Sequence, residues 1–480
     1  MSDSSPSPSD EEPLPLELDA QSLGRLVAQA LEYLGPYLES LPEQAAWDLD
    51  DVEEAARALR GPLPERGLPA RQLLPDLIER YATKGFNVAG PGYLAYIPGG
   101  GIPSSAVAGF IAEVLNRYVS VWTAAPLMAE LESEVIRWFC EIVGYPSDAG
   151  GILTSGGSMA NFSAVVSARH KHLQGSLEKA SAYVTDQGHH SLVKATSLAG
   201  IPPGQVRKIA VDEHFRVRVD ALAAAIEADR EAGLQPFLIC ANAGTTNTGA
   251  VDDLPALAAL AKQQEVWLHV DAAYGGFFAL TERGKRRLVG LELADSITLD
   301  PHKGLFLPYG SGSLLVRQPA QLRAAHSIAA DYMPAMRSEP EFVDFCDISP
   351  ELSRGNRGLR VWLPFKLHGL AQFRENLEEK LDLAEWACAE LKQLEGIEMV
   401  AEPQLSLLAF RLRKPGLQVP ELEALNRDLL ARINAHRRVY LTPTLIEGRF
   451  TLRICVLSFR THMERMQECL EIIRAEVLAS

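Results

Sequence analysis

The sequence predicts an α/β chain built on a mostly parallel sheet with helices on both faces. Two observations carry this. Between residues 90 and 330, short apolar, β-prone runs alternate with helical segments, and the runs are nearly continuously apolar, as in strands buried on both sides. Each polar motif in that region begins where a run ends, and sheets of this kind bind ligands beyond the carboxyl ends of their strands.

Residues 1–15 are rich in Ser, Pro, Asp and Glu, too polar to bury a core, and read as a disordered tail without a basic-then-apolar leader. Residues 16–90 read as a helical arm. Leu23, Leu26, Val27, Leu31 and Leu34 recur at helical spacing until Gly35-Pro36 interrupts them. Such an arm packs either on its own domain or on a second subunit. The large domain spans 91–357, with strands expected at 151–154, 182–185, 237–241, 266–270, 296–299 and 313–316. Helices are expected at 158–172 and 254–264. Residues 318–357 contain Pro319, Pro334, Pro340 and Pro350 and little periodicity, the character of a mobile lid. From 358 to 480 a smaller α/β domain follows. Its long first helix sets Phe373, Leu377, Leu381, Ala384, Cys388 and Leu391 on one face, and a strand-like run at 452–457 precedes a final helix.

A chain of 480 residues exceeds the size at which one core suffices, so two or three packed regions are expected. The formal charge of −16 argues against nucleic acid or an anionic membrane as partner. No apolar run reaches the length of a membrane span. The six cysteines are scattered without metal-like spacing and read as small buried hydrophobes of a reduced, cytoplasmic protein.

Two strand tips matter most. Val266–Val270 ends in Asp271-Ala272-Ala273-Tyr274, and the run at 296–299 ends in Asp300-Pro301-His302-Lys303-Gly304. An acid and a lysine on neighbouring strand tips suit pyridoxal 5'-phosphate (PLP). The lysine forms an imine, and the acid keeps the pyridine nitrogen protonated so that the ring is an electron sink. Each motif also has a plainer use: a solvated lysine, or an Asp closing a turn.

Three further motifs sit at strand ends. Thr154-Ser155-Gly156-Gly157-Ser158 joins a strand to a helix, where glycines let the backbone approach a phosphate and free N–H groups receive it. Asp186-Gln187-Gly188-His189-His190 brings an imidazole that can stack on a ring. Gly244-Thr245-Thr246-Asn247 can line a cofactor or merely turn. No metal is expected, because adjacent histidines rarely converge on one ion and no HExxH pattern supports them. The glycine-rich stretches lack GxGxxG spacing, which disfavours NAD, and no GxSxG elbow suggests a serine hydrolase.

Taken together, TSGGSMANF, DQGHHS, GTTNTGAVDDL, WLHVDAAYGG and DPHKG resemble the group II PLP-dependent amino-acid decarboxylases. GYLAYIP near residue 92, AELE at 129–132 and LRICVLSFRTH near the end extend the likeness. It implies the fold type I architecture of PLP-dependent transferases, with a mostly parallel seven-stranded sheet. It implies that Lys303 carries PLP, that Asp271 pairs with the pyridine nitrogen and that Ala273 touches the ring. His189, rather than His190, aligns with the stacking histidine. Gly157 and Ser158 match the phosphate-binding pair, and Thr246 matches a cofactor-proximal threonine. His302 and Asp300 belong to the same cofactor turn. Asp300 stands where relatives often have Asn, so its contact with phosphate is expected through backbone alone.

Tyr332, in Asp331-Tyr332-Met333, resembles the tyrosine of the family's mobile loop, which protonates the substrate Cα. Relatives with phenylalanine there tend to make aldehydes, and Phe345 is the competing match for that position. Arg354 resembles an arginine near the substrate carboxylate; a surface salt bridge is its alternative use. Tyr96, Ile97, Gly99 and Trp122 are the remaining substrate candidates. Gly99 replaces the threonine usual in aromatic-selective relatives, and Ile97 a common phenylalanine. Both changes weaken the inference from the family to a particular aromatic substrate, but Tyr93, Tyr96, Ile97 and Trp122 would give an apolar pocket, which favours aromatic over acidic side chains. The resemblance implies a decarboxylase acting on an L-amino acid and a homodimer, for which the helical arm and segment 122–132 are the candidate contacts. The alternatives are an aldehyde synthase, an aminotransferase, a decarboxylase of an acidic amino acid, or a binding protein that has lost catalysis.

Overall fold

A computed structural model describes residues 13–173, 175, 177–327 and 341–480. The central sheet contains β1 (Gly150–Thr154), β2 (Ala180–Thr185), β3 (Val206–Ile209), β4 (Gln235–Asn242), β5 (Trp267–Asp271), β6 (Ser296–Leu299) and β7 (Gly312–Val316). Its order is β1-β7-β6-β5-β4-β2-β3. Only β7 runs against its neighbours; the other pairs are parallel. Six of these strands lie where the apolar runs predict them. β3 does not announce itself, because Val206-Arg207-Lys208-Ile209 is an edge strand buried on one side and needs no apolar run.

Helices cover both faces, as parallel strands require. The arm begins with α1 (Ala20–Ser40), whose first turn is capped by Asp19, the Ser22 N–H donating to its Oδ1 at 2.7 Å. Pro36 lies inside this helix instead of ending it. Proline removes only the N–H that would reach the Glu32 carbonyl, and the helix resumes beyond it. Next come α2 (Pro103–Leu115), α3 (Pro126–Ile142), α4 (Gly157–His172), α5 (His190–Leu198) and α6 (Leu254–Gln263). The long α7 (Leu359–Leu391) bends at Gly369, whose φ of 70° breaks the helical backbone. Among the described residues, no helix is long and apolar enough to cross a membrane.

Two cores follow from this layering. The larger surrounds the seven-stranded sheet. The smaller is built on an antiparallel sheet of β8 (Ile397–Ala401), β9 (Leu407–Leu412), β10 (Thr442–Ile446) and β11 (Arg449–Cys455), in the order β8-β9-β11-β10. Leu381, Ala384, Cys388 and Leu391 of α7 are buried, as their spacing predicts. The stretch around Leu94 docks here: its N–H donates to the Tyr440 carbonyl, and its carbonyl accepts from Cys455 N–H. The cysteines are all free, and five of the six are buried.

Candidate active site

Strand register sets the site. Cys240, His269 and Ser296 are neighbours across β4, β5 and β6, and Asn242, Asp271 and Thr298 are neighbours one pleat further on. Side chains two apart share a face of a strand, so His269 and Asp271 point the same way. That face meets the start of α4, from which Asn161 reaches down to them. The Asn161 amide nitrogen donates to Asp271 Oδ2 at 3.0 Å, and Ala273 N–H donates to Asp271 Oδ1 at 3.1 Å.

Beyond these strand ends lies a cavity of about 280 Å³. Lys303, Asp271, His189, Gly157, Ser158, Thr246, Ala273, Asp300 and His302 all line it. These are the nine cofactor residues proposed from sequence, drawn from the ends of β1, β2, β4, β5 and β6. His190 faces a different cavity, beside Lys194 and Lys208. His189 caps α5, its Nδ1 accepting from Ser191 N–H at 3.3 Å.

The turn after β6 is strongly polar. Lys303 Nζ pairs with Asp300 Oδ2 at 2.8 Å, and His302 Nε2 stands 3.6 Å from the same oxygen. Burial alone would lower the Lys303 ammonium, but the Asp300 carboxylate outweighs it and the net shift is upward. Burial lowers His302 and His189, although Asp300 pulls the first back and Asp271 the second. The Asp300 side chain therefore lies between Lys303 and the Gly157–Ser158 turn. Its Oδ2 lies 2.9 Å from where a Cβ on Gly157 would sit, and its Oδ1 is buried without a partner. A side chain at Gly157 would displace the Asp300 carboxylate.

The substrate candidates are placed otherwise. In the single chain none of Tyr96, Ile97, Gly99, Trp122 and Arg354 lines the cavity. Arg354 corrects the surface salt bridge. Its guanidinium is fully buried against Glu132 of α3, donates to the Leu153 carbonyl at 3.0 Å, and lies 4.8 Å from the Phe345 ring centre. It ties segment 341–358 to α3 and β1, so it forms a buried ion pair and not a surface one. Trp122 stacks on Phe342 at 4.1 Å, and its indole N–H donates to Glu130 at 3.2 Å. Ile97 belongs to the large core, and Tyr96 is half exposed. Gly99 has a physical reason: a Cβ there would stand 1.9 Å from the His302 carbonyl oxygen. A threonine would push the loop off the lysine turn. Phe345 is buried in the large core, and Tyr332 lies outside the described residues.

Sequence reasoning missed Asn161, Ser191, Asn242 and His269. A signal existed for two of them. His269 interrupts an apolar strand two residues before Asp271, and Asn161 follows Gly157 by one helical turn.

An amine, an acid and a helix start around one cavity at the carboxyl edge of such a sheet define a PLP-binding enzyme of fold type I. The residues fit the cofactor: Lys303 can take the aldehyde, Asp271 the pyridine nitrogen, and the Gly157–Ser158 backbone the phosphate. Residues 55–413 match the family described as "Pyridoxal-dependent decarboxylase conserved domain". An aromatic-L-amino-acid decarboxylase of Bacillus atrophaeus is 34% identical, with 96% of each chain covered. A phenylacetaldehyde synthase of Arabidopsis thaliana is 27% identical, again over 96% of each. The structure of Oryza sativa TDC with PLP and tryptamine superposes with a TM-score of 0.92 at 24% identity, covering 97% of this chain and 99% of that one. The chain belongs to the pyridoxal-dependent decarboxylase family, and it is a PLP-dependent amino-acid decarboxylase.

Proposed function

We propose that the enzyme decarboxylates L-amino acids with aromatic side chains, releasing carbon dioxide and a primary amine. One observation carries the preference. Among the described residues, Lys303 is the only Lys or Arg lining the cavity, and the cofactor takes it. An acidic side chain would find no cation there, whereas an aromatic one needs none. Relatives acting on aromatic amino acids agree with this.

When bound, PLP supplies an electron sink for the pair left as the Cα–carboxylate bond breaks. Asp271 keeps the ring nitrogen protonated, and the Asn161 and Ala273 N–H groups hold its carboxylate in place. His189, which follows β2 and lines the cavity, would cover the ring. Lys303 would hold the cofactor through its Nζ. Tyr332 delivers the proton that replaces carbon dioxide on Cα. Tyr332→Phe is therefore expected to shift product from amine to aldehyde. Product analysis across the aromatic and acidic L-amino acids tests both points; release of amine from glutamate in preference to the aromatic substrates would overturn the preference.

The functional unit is proposed as a homodimer in the cytoplasm. Leu31 of α1 is 59% exposed, and on α2 Val107 is 53%, Phe110 45% and Val114 53% exposed. Apolar faces of this extent need a cover, and a second copy offers the same surfaces to each other. Segment 122–132 would reach the partner across that interface. Phe110→Glu is expected to halve the molar mass measured by light scattering; an unchanged dimer would exclude α2 from the interface.

A further inference from the structure

Asn161 is buried, and every bond it makes has only one possible direction. The Asp271 carboxylate only accepts, so the amide nitrogen faces it at 3.0 Å. The second N–H of the same amide donates to Ser191 Oγ at 2.9 Å. Ser191 Oγ keeps its own hydrogen to donate, and His189 Nδ1 lies 2.7 Å away. The Ser191 backbone N–H also donates to that nitrogen, at 3.3 Å. Two donors on His189 Nδ1 leave its proton on Nε2.

The other side of the amide is equally determined. Asn161 Oδ1 accepts from Thr298 Oγ–H at 2.7 Å and from His269 Nε2–H at 3.0 Å. His269 Nδ1 therefore accepts from Ser296 Oγ–H at 2.8 Å, and Ser296 in turn accepts from the Trp267 indole at 2.8 Å. Trp267 can only donate, so Ser296 Oγ accepts there and keeps its own hydrogen for His269 Nδ1. Burial pushes His269 down to about 4 against the pull of Asp271, which keeps this relay neutral.

We propose that Asn161 is a positioning residue that, from one amide, holds the Asp271 carboxylate and, through Ser191, fixes His189 in the tautomer offering Nε2–H to the cavity. His189 thus meets the cofactor as a neutral donor and not as a base. The inference rests on the PLP reading of the site but concerns how two of its groups are set. The charged and titratable groups facing His189 are Asp271, Lys303, Asp300 and His190. All of them remain in the variants below, so a shift reports the relay.

Asn161→Leu removes the amide at similar volume. In the holoenzyme it is expected to lower kcat by about a hundredfold with KM changing less than about twofold. The acidic limb of the kcat profile should move up by about one pH unit, because the Ser191 O–H is no longer held on His189 Nδ1 and stops opposing a proton there. Imidazole-nitrogen NMR of the protein should show His189 leaving the Nε2–H form. Ser191→Ala guards against a folding failure at Asn161: it should reproduce the tautomer change and the pH shift while cofactor affinity stays as in wild type, and Ser191→Thr should restore both. Wild-type profiles and an unchanged Nε2–H tautomer in both Asn161→Leu and Ser191→Ala would overturn the proposal. A wild-type protein that binds no PLP would instead overturn the functional reading, since the tautomer is still readable in the cofactor-free chain.

Discussion

Lys303→Ala is expected to lower carbon dioxide release by at least about a thousandfold, the scale seen when a covalent catalyst loses its reacting group. Nζ is the only primary amine in the cavity among the described residues, so no neighbour can take its place. The effect has two parts. The cofactor loses its covalent anchor and is held only by Asp271 and the phosphate cup. The amine product also loses the group that displaces it. Removing the ammonium strands Asp300, whose Oδ2 bonds Lys303 at 2.8 Å and whose Oδ1 already lacks a partner. A buried carboxylate without a cation is costly, so the variant should be less stable than wild type as well as inactive. Lys303→Arg separates these effects. Arginine keeps a cation near Asp300 but stays protonated and cannot take the aldehyde. Stability should return while turnover does not. Wild-type rates of carbon dioxide release from Lys303→Ala would sink this assignment.

The contrast between Lys303 and Arg354 shows what a sequence can and cannot convey. The lysine's neighbours along the chain already carry its chemistry: β6 ends at Leu299, Asp300 follows, and Lys303 is one turn on. Local order along the chain therefore singled out a turn whose Asp300, His302 and Lys303 line the cavity. Arg354 is decided by residues far away, Glu132 on α3 and the Leu153 carbonyl of β1. No local pattern signals such a pair. Gly35-Pro36 is a milder case, where a breaker signal was overridden because a helix loses only one internal bond at proline. β3 was invisible for the opposite reason: an edge strand with Arg207 and Lys208 need not be apolar.

The polar residues behind the cavity lie between these extremes. Asp271 was legible from its place at a strand tip. His269 was not used, although its spacing puts it on the same face. Its role depends on register with Ser296 in β6 and on Asn161 coming from α4, and neither is written locally. A histidine inside an apolar strand, two residues before a functional acid, is thus a usable sign of a buried relay.

Asp271→Asn isolates what the acid itself contributes. The substitution keeps size and shape but not the acceptor pair. In the wild type both carboxylate oxygens accept N–H bonds, one from Asn161 at 3.0 Å and one from Ala273 at 3.1 Å. An asparagine must turn its –NH₂ toward one of these donors or toward the cofactor. In the first case two N–H groups oppose each other in a buried site, and in the second the pyridine nitrogen meets a donor. Neither keeps that nitrogen protonated, so the electron sink weakens just where charge develops as carbon dioxide leaves. Loss of one preorganised electrostatic partner lowers kcat by about 100- to 1,000-fold. The cofactor should still be linked to Lys303, since Lys303 and Asp300 remain paired. The expected signature is therefore a bound chromophore with little turnover, read by visible absorption alongside carbon dioxide release. A variant with wild-type kcat would show that Asp271 only supports the fold, and adding back cofactor to full activity would show that it only retains PLP.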